Sequence, residues 1–370
     1  MVQTQSILNP ELVEDRELLP VAEKVEAGQR LSFEDGVKLF KTHDLLSLGR
    51  LADFANRRVN GSVVYFTVNR HVNLTNICVG TCKFCAFRKR KGEKGAYQLT
   101  VEELERKLLE TPEVSEIHVV SGLHPDWGLK EIKEFLKTIK RLKPRAKIQA
   151  LTAEEVDYLC RKEGLEPEEV LKELIECGLD ALPGGGAEVF SGRVREKLCP
   201  EKLSAERYLE IHETAHKLGI RSNASILYGH IETVEERVEH LLRLRELQDR
   251  TGGFMAFISF AYQPKNTQLG GNFTTGFDDL KMLAVARLLL DNFRHVRAFW
   301  ITLGEKLAQV SLHFGVNDLD GTVVEETITR SAGASGGSYM PKERLIKLIK
   351  EAGKLPVERD TLYNVIRVYQ

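Results

Sequence analysis

The spacing of apolar residues changes near residue 62 and divides the chain into regions of different predicted structure. Residues 11 to about 60 are rich in helix signals, among them Ser32, which is placed to cap a helix at "SFEDGVKLF". The stretch "NRRVNGS" then interrupts the pattern, because asparagine, glycine and serine favour turns. From Ser62 onward, short β-branched or apolar runs alternate with amphipathic helical stretches. The first region is therefore predicted to be helical and the second to alternate strands with helices.

Eight runs in the second region have the composition of strands. They are "SVVYFTV", "EIHVVSG", "KIQALT", "GLDALPGG", "RSNASILYG", "GFMAFISFAY", "VRAFWITLG" and "FGVNDLDG". Several are followed by a capping box that opens a helix, at Thr100 and Glu103, Thr152 and Glu155, and Thr233 and Glu236. Strands that alternate with one-sided helices over about 250 residues favour an α/β fold, a TIM-like parallel (β/α) barrel with helices outside.

This pattern predicts three parts of the chain. Residues 1–60 form a helical N-terminal extension, and residues 61–320 form the barrel core. Residues 321–370 form a C-terminal extension that packs on the barrel, with a Gly/Ser-rich stretch, "SAGASGGS", a helix from Pro341 and an apolar tail.

Composition narrows the classes of partner and compartment. The chain has 53 basic and 54 acidic side chains and a net charge of -1, so we expect neither nucleic acid nor a membrane surface as partner. The start, "MVQTQSILNPELVEDRELLP", has no basic region followed by an apolar run, so we expect no secretory signal and a cytoplasmic location. Three of the six cysteines, Cys160, Cys177 and Cys199, are scattered, which suits a reducing compartment better than a disulfide framework.

The other three cysteines are close together in "HVNLTNICVGTCKFCAFRK", at Cys78, Cys82 and Cys85. Structural zinc sites usually have four ligands in two pairs, whereas this stretch has three thiols and no second pair. A 4Fe-4S cluster fits three thiolates, because its fourth iron then stays free to bind another molecule. The alternatives are a structural zinc site or three buried thiols in a protein that is not an enzyme.

The spacing Cys-x-x-x-Cys-x-x-Cys, with the aromatic Phe84 directly before the last cysteine, resembles the radical SAM superfamily. The resemblance implies one 4Fe-4S cluster whose free iron binds the amino and carboxylate groups of S-adenosylmethionine as cosubstrate. The loop follows the first predicted strand, and barrel enzymes build their sites from such loops.

Longer stretches resemble one family within that superfamily. They are "NRHVNLTNICVGTCKFCAFRK", "VSGLHPD", "LPGGGAEVFSGRVREKLCP", "LYGHIET", "LRELQDRTGGFMAFISFAYQP" and "WITLGEKLAQVSLHFGVNDLDGTVVEE", which together closely resemble the aminofutalosine synthase family of menaquinone biosynthesis. The resemblance implies a transferase that joins S-adenosylmethionine to 3-[(1-carboxyvinyl)oxy]benzoate. Its products are 6-amino-6-deoxyfutalosine, methionine and carbon dioxide or bicarbonate. The alternatives are a dehypoxanthine futalosine cyclase or an FO synthase-type enzyme, which share the glycine run and the "QD-TGG-AFI" region.

The superfamily resemblance also implies contacts to S-adenosylmethionine. Ser121 and Gly122 lie in "VVSGLHP", which resembles the loop that meets the methionyl amino group. In "LPGGGAEVF", glycines such as Gly185 let backbone approach a ligand, and Glu188 is the polar residue expected near the ribose or amino group. Arg207 is expected to pair with the methionine carboxylate through its planar fork. Phe84 belongs to the same set through the cysteine motif. The glycine run is equally compatible with a plain strand-to-helix turn.

The expected substrate carries two carboxylates, so cationic or hydrogen-bonding groups at strand ends are predicted to bind it. His230 is the first choice, with Asn73 and Tyr228 beside it as catalytic residues. A histidine or tyrosine at a strand end is also often a structural hydrogen-bonding group. Further candidates are His71, Asn223 and Arg297, with Asn317 and Asp318 as a runner-up pair.

The basic run "RKRKGEK" from Arg88 follows the cysteines. A solvated loop is the simpler interpretation of such a run. The functional interpretation is a docking surface for an acidic electron donor such as a flavodoxin or ferredoxin.

Overall fold

A computed structural model describes residues 7–370 and shows fifteen helices and eleven strands in that part of the chain. The helices are α1 (Leu18–Glu26), α2 (Phe33–Lys41), α3 (Leu45–Asn60), α4 (Val101–Glu110), α5 (Leu129–Leu142), α6 (Ala153–Glu163), α7 (Pro167–Glu176), α8 (Gly192–Leu198), α9 (Ala205–Lys217), α10 (Val234–Thr251), α11 (Gly276–Leu289), α12 (Trp300–Leu303), α13 (Glu305–Ser311), α14 (Ile328–Ser331) and α15 (Lys342–Glu351). The strands are β1 (Val63–Thr67), β2 (Asn69–Val72), β3 (Glu116–Val119), β4 (Lys147–Ala150), β5 (Ala181–Leu182), β6 (Arg221–Tyr228), β7 (Phe254–Ala261), β8 (His295–Ala298), β9 (Asp318–Gly321), β10 (Leu355–Arg359) and β11 (Val365–Val368).

Eight parallel strand positions form a closed barrel. Strands β1 and β2 are separated only by Val68 and act as the first barrel strand. This strand pairs with β9 through β1 and with β3 through β2, and β3 to β9 pair in chain order. All of these pairs are parallel. The predicted TIM-like barrel is therefore confirmed, and each of the eight predicted strands is present.

Helices on the outside of the barrel begin where the sequence predicts. Thr100, Thr152 and Thr233 are the N-cap residues of α4, α6 and α10, and each side chain accepts a hydrogen bond from the backbone of a glutamate three positions later. That glutamate in turn accepts from the backbone of the threonine, which completes the capping box. The amphipathic helices then bury their apolar faces against the strands.

The helices that precede the barrel pack on its outer layer. Helix α2 contacts α10 and α11, and α3 lies along α11. A Cβ atom at Gly49 of α3 would lie 2.7 Å from the ring of Phe314, so glycine permits this close packing. No helix within residues 7–370 is both long and apolar enough to cross a membrane.

The C-terminal segment lies across the end of the barrel where the strands begin. Strand β10 pairs in parallel with β1, and β11 returns antiparallel to β10. Arg359 donates to Asp318 over 2.7 Å, and Tyr363 donates to the same carboxylate over 2.8 Å. Thr361 donates to Glu116 at the start of β3. The carboxylates of Asp318 and Glu116 at this end of the barrel thereby gain partners from the C-terminal segment, and the boundaries at residues 60 and 320 stay predictions.

Candidate active site

A cavity of about 610 Å³ lies at the end of the barrel where the strands finish. Its wall is formed by the loop after β2, by the glycine run after β5 and by side chains that point inward from the strands. We call the first of these, residues 73–90, the cysteine loop. All three clustered cysteines line the cavity, as do Phe84 and Gly185. The fold therefore brings together residues that are separated by about a hundred positions in sequence.

Backbone hydrogen bonds fix the cysteine loop from two sides. Val79 donates to Leu123 in the loop after β3 over 3.0 Å, and Lys83 donates to Leu198 at the end of α8 over 2.9 Å. Arg90 adds side-chain hydrogen bonds to the carbonyl oxygens at positions 78 and 79. Because these anchors come from neighbouring elements, the three thiols are held against the cavity wall, and Cys82 also packs against the hydrophobic core.

The three thiols are compatible with a multi-iron cluster. Within residues 7–370, no three His, Cys, Asp or Glu side chains converge on one ion, and thiolates that each bind a different iron need not converge. Gly80 lies between two of them, since its Cβ would be 3.4 Å from the sulfur of Cys78 and 4.0 Å from that of Cys82. Burial raises the pKa of Cys78, and it raises the pKa of Cys82 to about 12. Such thiols favour the thiolate when a metal cation is bound beside them.

Ser121 and Gly122 line the cavity and also hold the cysteine loop. A Cβ atom at Gly122 would lie 2.4 Å from the carbonyl oxygen of Ile77, so only glycine fits this approach. The Ser121 hydroxyl accepts a hydrogen bond from Leu74, and the Ser121 backbone donates to Glu155. Both predicted contacts to S-adenosylmethionine therefore lie at the wall, with structural bonds of their own.

Glu188 faces the cavity beside a lysine that sequence reasoning missed. The Lys202 ammonium lies 2.6 Å from the Glu188 carboxylate and 5.5 Å from the centre of the Phe84 ring. Burial by itself lowers the pKa of Lys202, but Glu188 and then Cys82 raise it well above its ordinary value. Glu188 also has a positive φ of 48°, an uncommon conformation for a residue other than glycine. A fixed positive charge thus lies between the cysteine loop and the glycine run.

Arg207 is not brought to the cavity. Its Nε donates to Asp157 over 2.8 Å and its Nη1 donates to Glu210 over 3.0 Å. Both partners lie on the outer helices α6 and α9, so the fork of Arg207 is engaged there. Arg161, which is not among the predicted site residues, lines the cavity instead. The carboxylate contact proposed for Arg207 has no support from this placement.

Strand β6 places Tyr228, one of the predicted catalytic residues, outside the cavity. Successive side chains of a strand point to opposite faces, and Asn223, Ser225 and Leu227 line the cavity. Tyr228 therefore points to the helix layer, where its hydroxyl donates to Asp279 over 2.6 Å. The sequence already indicates this alternation, because residues an odd number of positions apart on a strand, such as 223 and 228, lie on opposite faces.

His230 lies beyond the end of β6 and outside the cavity wall. Its Nε2 lies 2.9 Å from the carbonyl oxygen of Leu227, and its Nδ1 lies 2.8 Å from the Glu232 carboxylate. The side chain is fully buried in this arrangement. The first-choice substrate contact is thus a structural group of the turn between β6 and α10.

Asn73, the third predicted catalytic residue, does line the cavity, but both ends of its amide are engaged. Its Nδ2 donates to the Val120 carbonyl, and its Oδ1 accepts from the Thr327 hydroxyl. The amide thus joins the cysteine loop to the segment after β9.

The deep part of the cavity contains a buried cation and a stacked histidine pair. Arg297 donates to Asp320 over 2.9 Å. His71 and His118 stack with ring centroids 4.4 Å apart. Burial, and then His118 and Arg297, lower the pKa of His71 well below its ordinary value, so His71 is neutral at pH 7. The predicted candidates His71 and Arg297 are therefore at the wall.

The runner-up pair lies below the cavity. Asn317 accepts from Arg287, and Asp318 pairs with Arg359. Asp320, two positions further along β9, is the carboxylate that reaches the cavity. The predicted residue, Asp318, and the residue that lines the cavity, Asp320, are therefore two positions apart on the same strand.

Glu155 is a wall residue with a titration near neutral pH. Burial raises its pKa to about 7 from an ordinary value of 4.5, although hydrogen bonds from Thr152 and Ser121 lower it. Between these two values the folded state holds more protons than the unfolded state, so the free energy of unfolding falls as pH rises through this window. We expect Glu155→Gln, which cannot titrate, to flatten this slope in guanidinium unfolding series run between pH 5 and 7. A slope equal to that of the unmodified protein would contradict this assignment.

Two family models match consecutive parts of the chain. The radical SAM superfamily model matches residues 72–244, and a model described as the CofH/MqnC C-terminal region matches residues 251–370. The first match contains the cysteine loop and the glycine run. The second contains the last three barrel strands and the C-terminal segment.

The chain is similar to named enzymes over nearly its whole length. It is 49% identical over 364 residues to aminodeoxyfutalosine synthase of Thermus thermophilus, which covers 96% of this chain and 98% of the relative. It is 42% identical over 322 residues to 5-amino-6-(D-ribitylamino)uracil–L-tyrosine 4-hydroxyphenyl transferase of Archaeoglobus fulgidus, covering 86% and 93%. The fold is similar to that of the FeFe-hydrogenase maturase HydG of Carboxydothermus hydrogenoformans, with a TM-score of 0.73 at 17% identity, covering 94% of this chain and 80% of that one.

Proposed function

The chain belongs to the radical SAM superfamily, in the family of aminodeoxyfutalosine synthase, and we propose that it transfers the adenosyl group of S-adenosylmethionine to 3-[(1-carboxyvinyl)oxy]benzoate. The products are 6-amino-6-deoxyfutalosine, methionine and carbon dioxide or bicarbonate, in menaquinone biosynthesis. The observation that carries the proposal is one cavity that holds the cysteine loop at its mouth and Arg297 at its depth. A dianionic substrate placed between them has its reacting alkene toward the mouth.

Cys78, Cys82 and Cys85 would hold the 4Fe-4S cluster, since all three line the mouth of the cavity. When bound, the cluster supplies the electron that releases methionine and the 5′-deoxyadenosyl radical from S-adenosylmethionine. Lys202 and Glu188 lie next to this position and carry opposite charges, which suits a zwitterionic methionyl group. Gly185 leaves room for the adenosyl group to approach the backbone.

The deeper wall is suited to the aromatic substrate. Ile258, Phe260 and Phe299 give an apolar surface against which an aryl ring can pack. Arg297 provides a cation on the same wall, held in orientation by Asp320. These residues orient the substrate and keep water from the reacting carbon, which is the main task of the protein when the reactive group comes from a cofactor.

The proposed chemistry forms a bond between the adenosyl C5′ and the terminal alkene carbon. The resulting radical is stabilised by the adjacent oxygen and carboxylate. Migration of the aryl group from oxygen to carbon leaves an oxygen-centred radical, and cleavage of its bond to the carboxylate leaves an aryl ketone joined to adenosine. The carboxyl unit departs with the unpaired electron as the carbon dioxide radical anion. Its oxidation to carbon dioxide would return the one electron that released the adenosyl group. Holding the alkene close to C5′ would favour this addition over hydrogen abstraction.

The fate of the adenosyl group tests the proposal. With S-adenosylmethionine labelled in its adenosyl carbons and the enol-ether benzoate, we expect the label in the main product in a one-to-one ratio with methionine. The deoxyadenosine by-product should be minor, because the alkene is held next to C5′. Mass spectrometry of an anaerobic, reduced reaction measures both.

The same experiment separates the alternatives. If the label goes chiefly to 5′-deoxyadenosine while the true substrate is consumed, the chain belongs with the hydrogen-abstracting cyclase or FO synthase-type enzymes. A colourless protein that binds zinc, and shows no iron-sulfur absorption that bleaches with dithionite, would contradict any enzymatic assignment.

The electron donor and the location complete the proposal. Arg90, in the basic run after the cysteines, donates to the carbonyl oxygens of Cys78 and Val79 over 2.9 and 2.7 Å. An acidic donor such as a flavodoxin or ferredoxin that docks on this run would come close to the cysteine loop. Lys91, by contrast, is paired with Asp126. We place the reaction in the cytoplasm, with no nucleic acid and no membrane as partner.

A further inference from the structure

Asn223 is buried in the cavity wall with its amide unpaired. The residue is 1% exposed, and within the described part of the chain neither its Nδ2 nor its Oδ1 has a hydrogen-bond partner. The other amide of the wall considered above, Asn73, has partners at both ends. A buried amide without partners lowers stability, so its presence in the wall indicates a ligand that supplies the missing partners.

The two ends of the amide need different partners. Nδ2 can only donate hydrogen bonds and Oδ1 can only accept them. The enol-ether benzoate at neutral pH has carboxylate and ether oxygens, which accept, and it has no N–H or O–H group. S-Adenosylmethionine carries ribose hydroxyl and amino groups, which donate. The enol-ether benzoate can therefore pair with Nδ2 but not with Oδ1. Of the two reactants, only S-adenosylmethionine can donate a hydrogen bond to Oδ1.

The position of Asn223 suits contact with both molecules. On one side, its carbonyl oxygen would lie 3.0 Å from a Cβ atom at Gly184, so its backbone abuts the glycine run proposed to face the adenosyl group. On the other side, β7 and then β8 follow β6 around the barrel, and β8 carries Arg297 on the same cavity wall. Asn223 thus lies between the two proposed binding regions.

We propose that Asn223 bridges the two reactants, with Nδ2 donating to an oxygen of the enol-ether benzoate and Oδ1 accepting from S-adenosylmethionine. The inference rests on the proposed function and names a positioning residue for that reaction. A bridging amide holds the alkene and C5′ in register, and it makes the binding of one molecule favour the binding of the other.

Thermodynamic coupling provides the test. Without reductant the cluster-loaded protein does not turn over, so calorimetry can measure the affinity for S-adenosylmethionine with and without the true enol-ether benzoate. We expect the enol ether to raise this affinity about 10-fold in the unmodified protein. Asn223→Leu keeps the branched shape of the side chain, with larger methyl groups in place of both polar atoms, and we expect it to reduce the effect to less than about 2-fold.

A second variant separates the two ends of the amide. Asn223→Asp keeps an acceptor and loses the donor. We expect it to bind S-adenosylmethionine alone at least as tightly, because an acceptor remains, and to bind the enol ether more weakly because a carboxylate repels the dianion. After reduction, both variants should release more 5′-deoxyadenosine per molecule of product, since the alkene is no longer held next to C5′.

Ser259→Ala is the matched control. Ser259 is also fully buried with an unpaired hydroxyl, but it lies on β7 and does not line the cavity. We expect its alanine variant to keep the coupling of the unmodified protein. Asn223→Leu should keep or raise the thermal midpoint of the ligand-free protein, because an unpaired buried amide is removed. A purely structural role would instead lower the midpoint.

Three results would overturn the inference. The first is full coupling in Asn223→Leu, and the second is equal affinity for S-adenosylmethionine with and without the enol ether in the unmodified protein. The third is a loss of affinity for one ligand with unchanged coupling, which would mean that Asn223 touches that ligand alone. Failure of the proposed function is distinct, because the unmodified, reduced protein would then not convert the enol ether at all.

Discussion

Alanine at any one of Cys78, Cys82 and Cys85 is expected to abolish both cluster retention and turnover while the barrel stays folded. Each thiol lines the mouth of the cavity, and a cluster held by three thiolates would lose one of its protein ligands in each variant. The loop is held by backbone hydrogen bonds rather than by the cysteine side chains, so the fold should not depend on them. The iron content, measured under anaerobic conditions, should fall from about four irons per chain to near zero. Circular dichroism should remain that of the unmodified protein.

The matched controls are Cys160→Ala and Cys177→Ala. Both thiols are buried among apolar side chains and do not line the cavity, and we expect iron content to be unchanged. Cys199 differs from them because it lines the cavity near Lys202. We expect Cys199→Ala to leave iron content unchanged as well, because Cys199 lies outside the three-cysteine spacing. Full activity in any of the three clustered-cysteine variants would refute the cluster assignment.

Asp318→Asn is expected to cost about 3–5 kcal/mol of the free energy of unfolding. The Asp318 carboxylate is fully buried with the guanidinium of Arg359 at 2.7 Å, and that of Arg297 lies 3.5 Å away. Asparagine has the same shape, so the loss would report the charge and not a cavity. Two buried cations would then lack their shared carboxylate. Guanidinium unfolding of the cluster-loaded protein under anaerobic conditions measures the change.

An exposed aspartate with the same kind of partner is the control for Asp318. Asp249 pairs with Arg30 over 2.6 Å, and both side chains are about 40% exposed. We expect Asp249→Asn to cost less than about 1 kcal/mol, because water screens this pair. Equal losses in the free energy of unfolding of the two variants would contradict the expectation that the buried ion pairs of Asp318 contribute more to stability than the exposed pair of Asp249.

The local elements of this fold follow from local sequence signals. Threonine and glutamate three positions apart start helices wherever an apolar stripe follows, and short β-branched runs become strands, because both effects act over a few residues. The spacing of the three cysteines likewise predicts their common loop, since eight positions cannot separate them far. For these reasons the eight strands and the cysteine loop were predicted correctly.

Which side chains meet in the cavity depends on the strand phase and on the packing of elements distant in sequence. Tyr228 was predicted to face the substrate, but the alternation along β6 turns it toward Asp279. Arg207 was predicted to pair with the methionine carboxylate of S-adenosylmethionine, but its guanidinium donates to Asp157 on a neighbouring helix. Lys202 gave no local signal, because its role arises only where the chain returns to Glu188.

The family, the barrel and the residues proposed to bind iron follow from the sequence, because each is carried by a pattern over short stretches or by similarity along the whole chain. Which polar groups remain unpaired at the cavity wall becomes visible only in the folded barrel. Pairing depends on every neighbour within hydrogen-bond distance, and these neighbours come from strands far apart in sequence. Asn223 is one asparagine among others in the sequence, and only the folded barrel buries its amide without a partner.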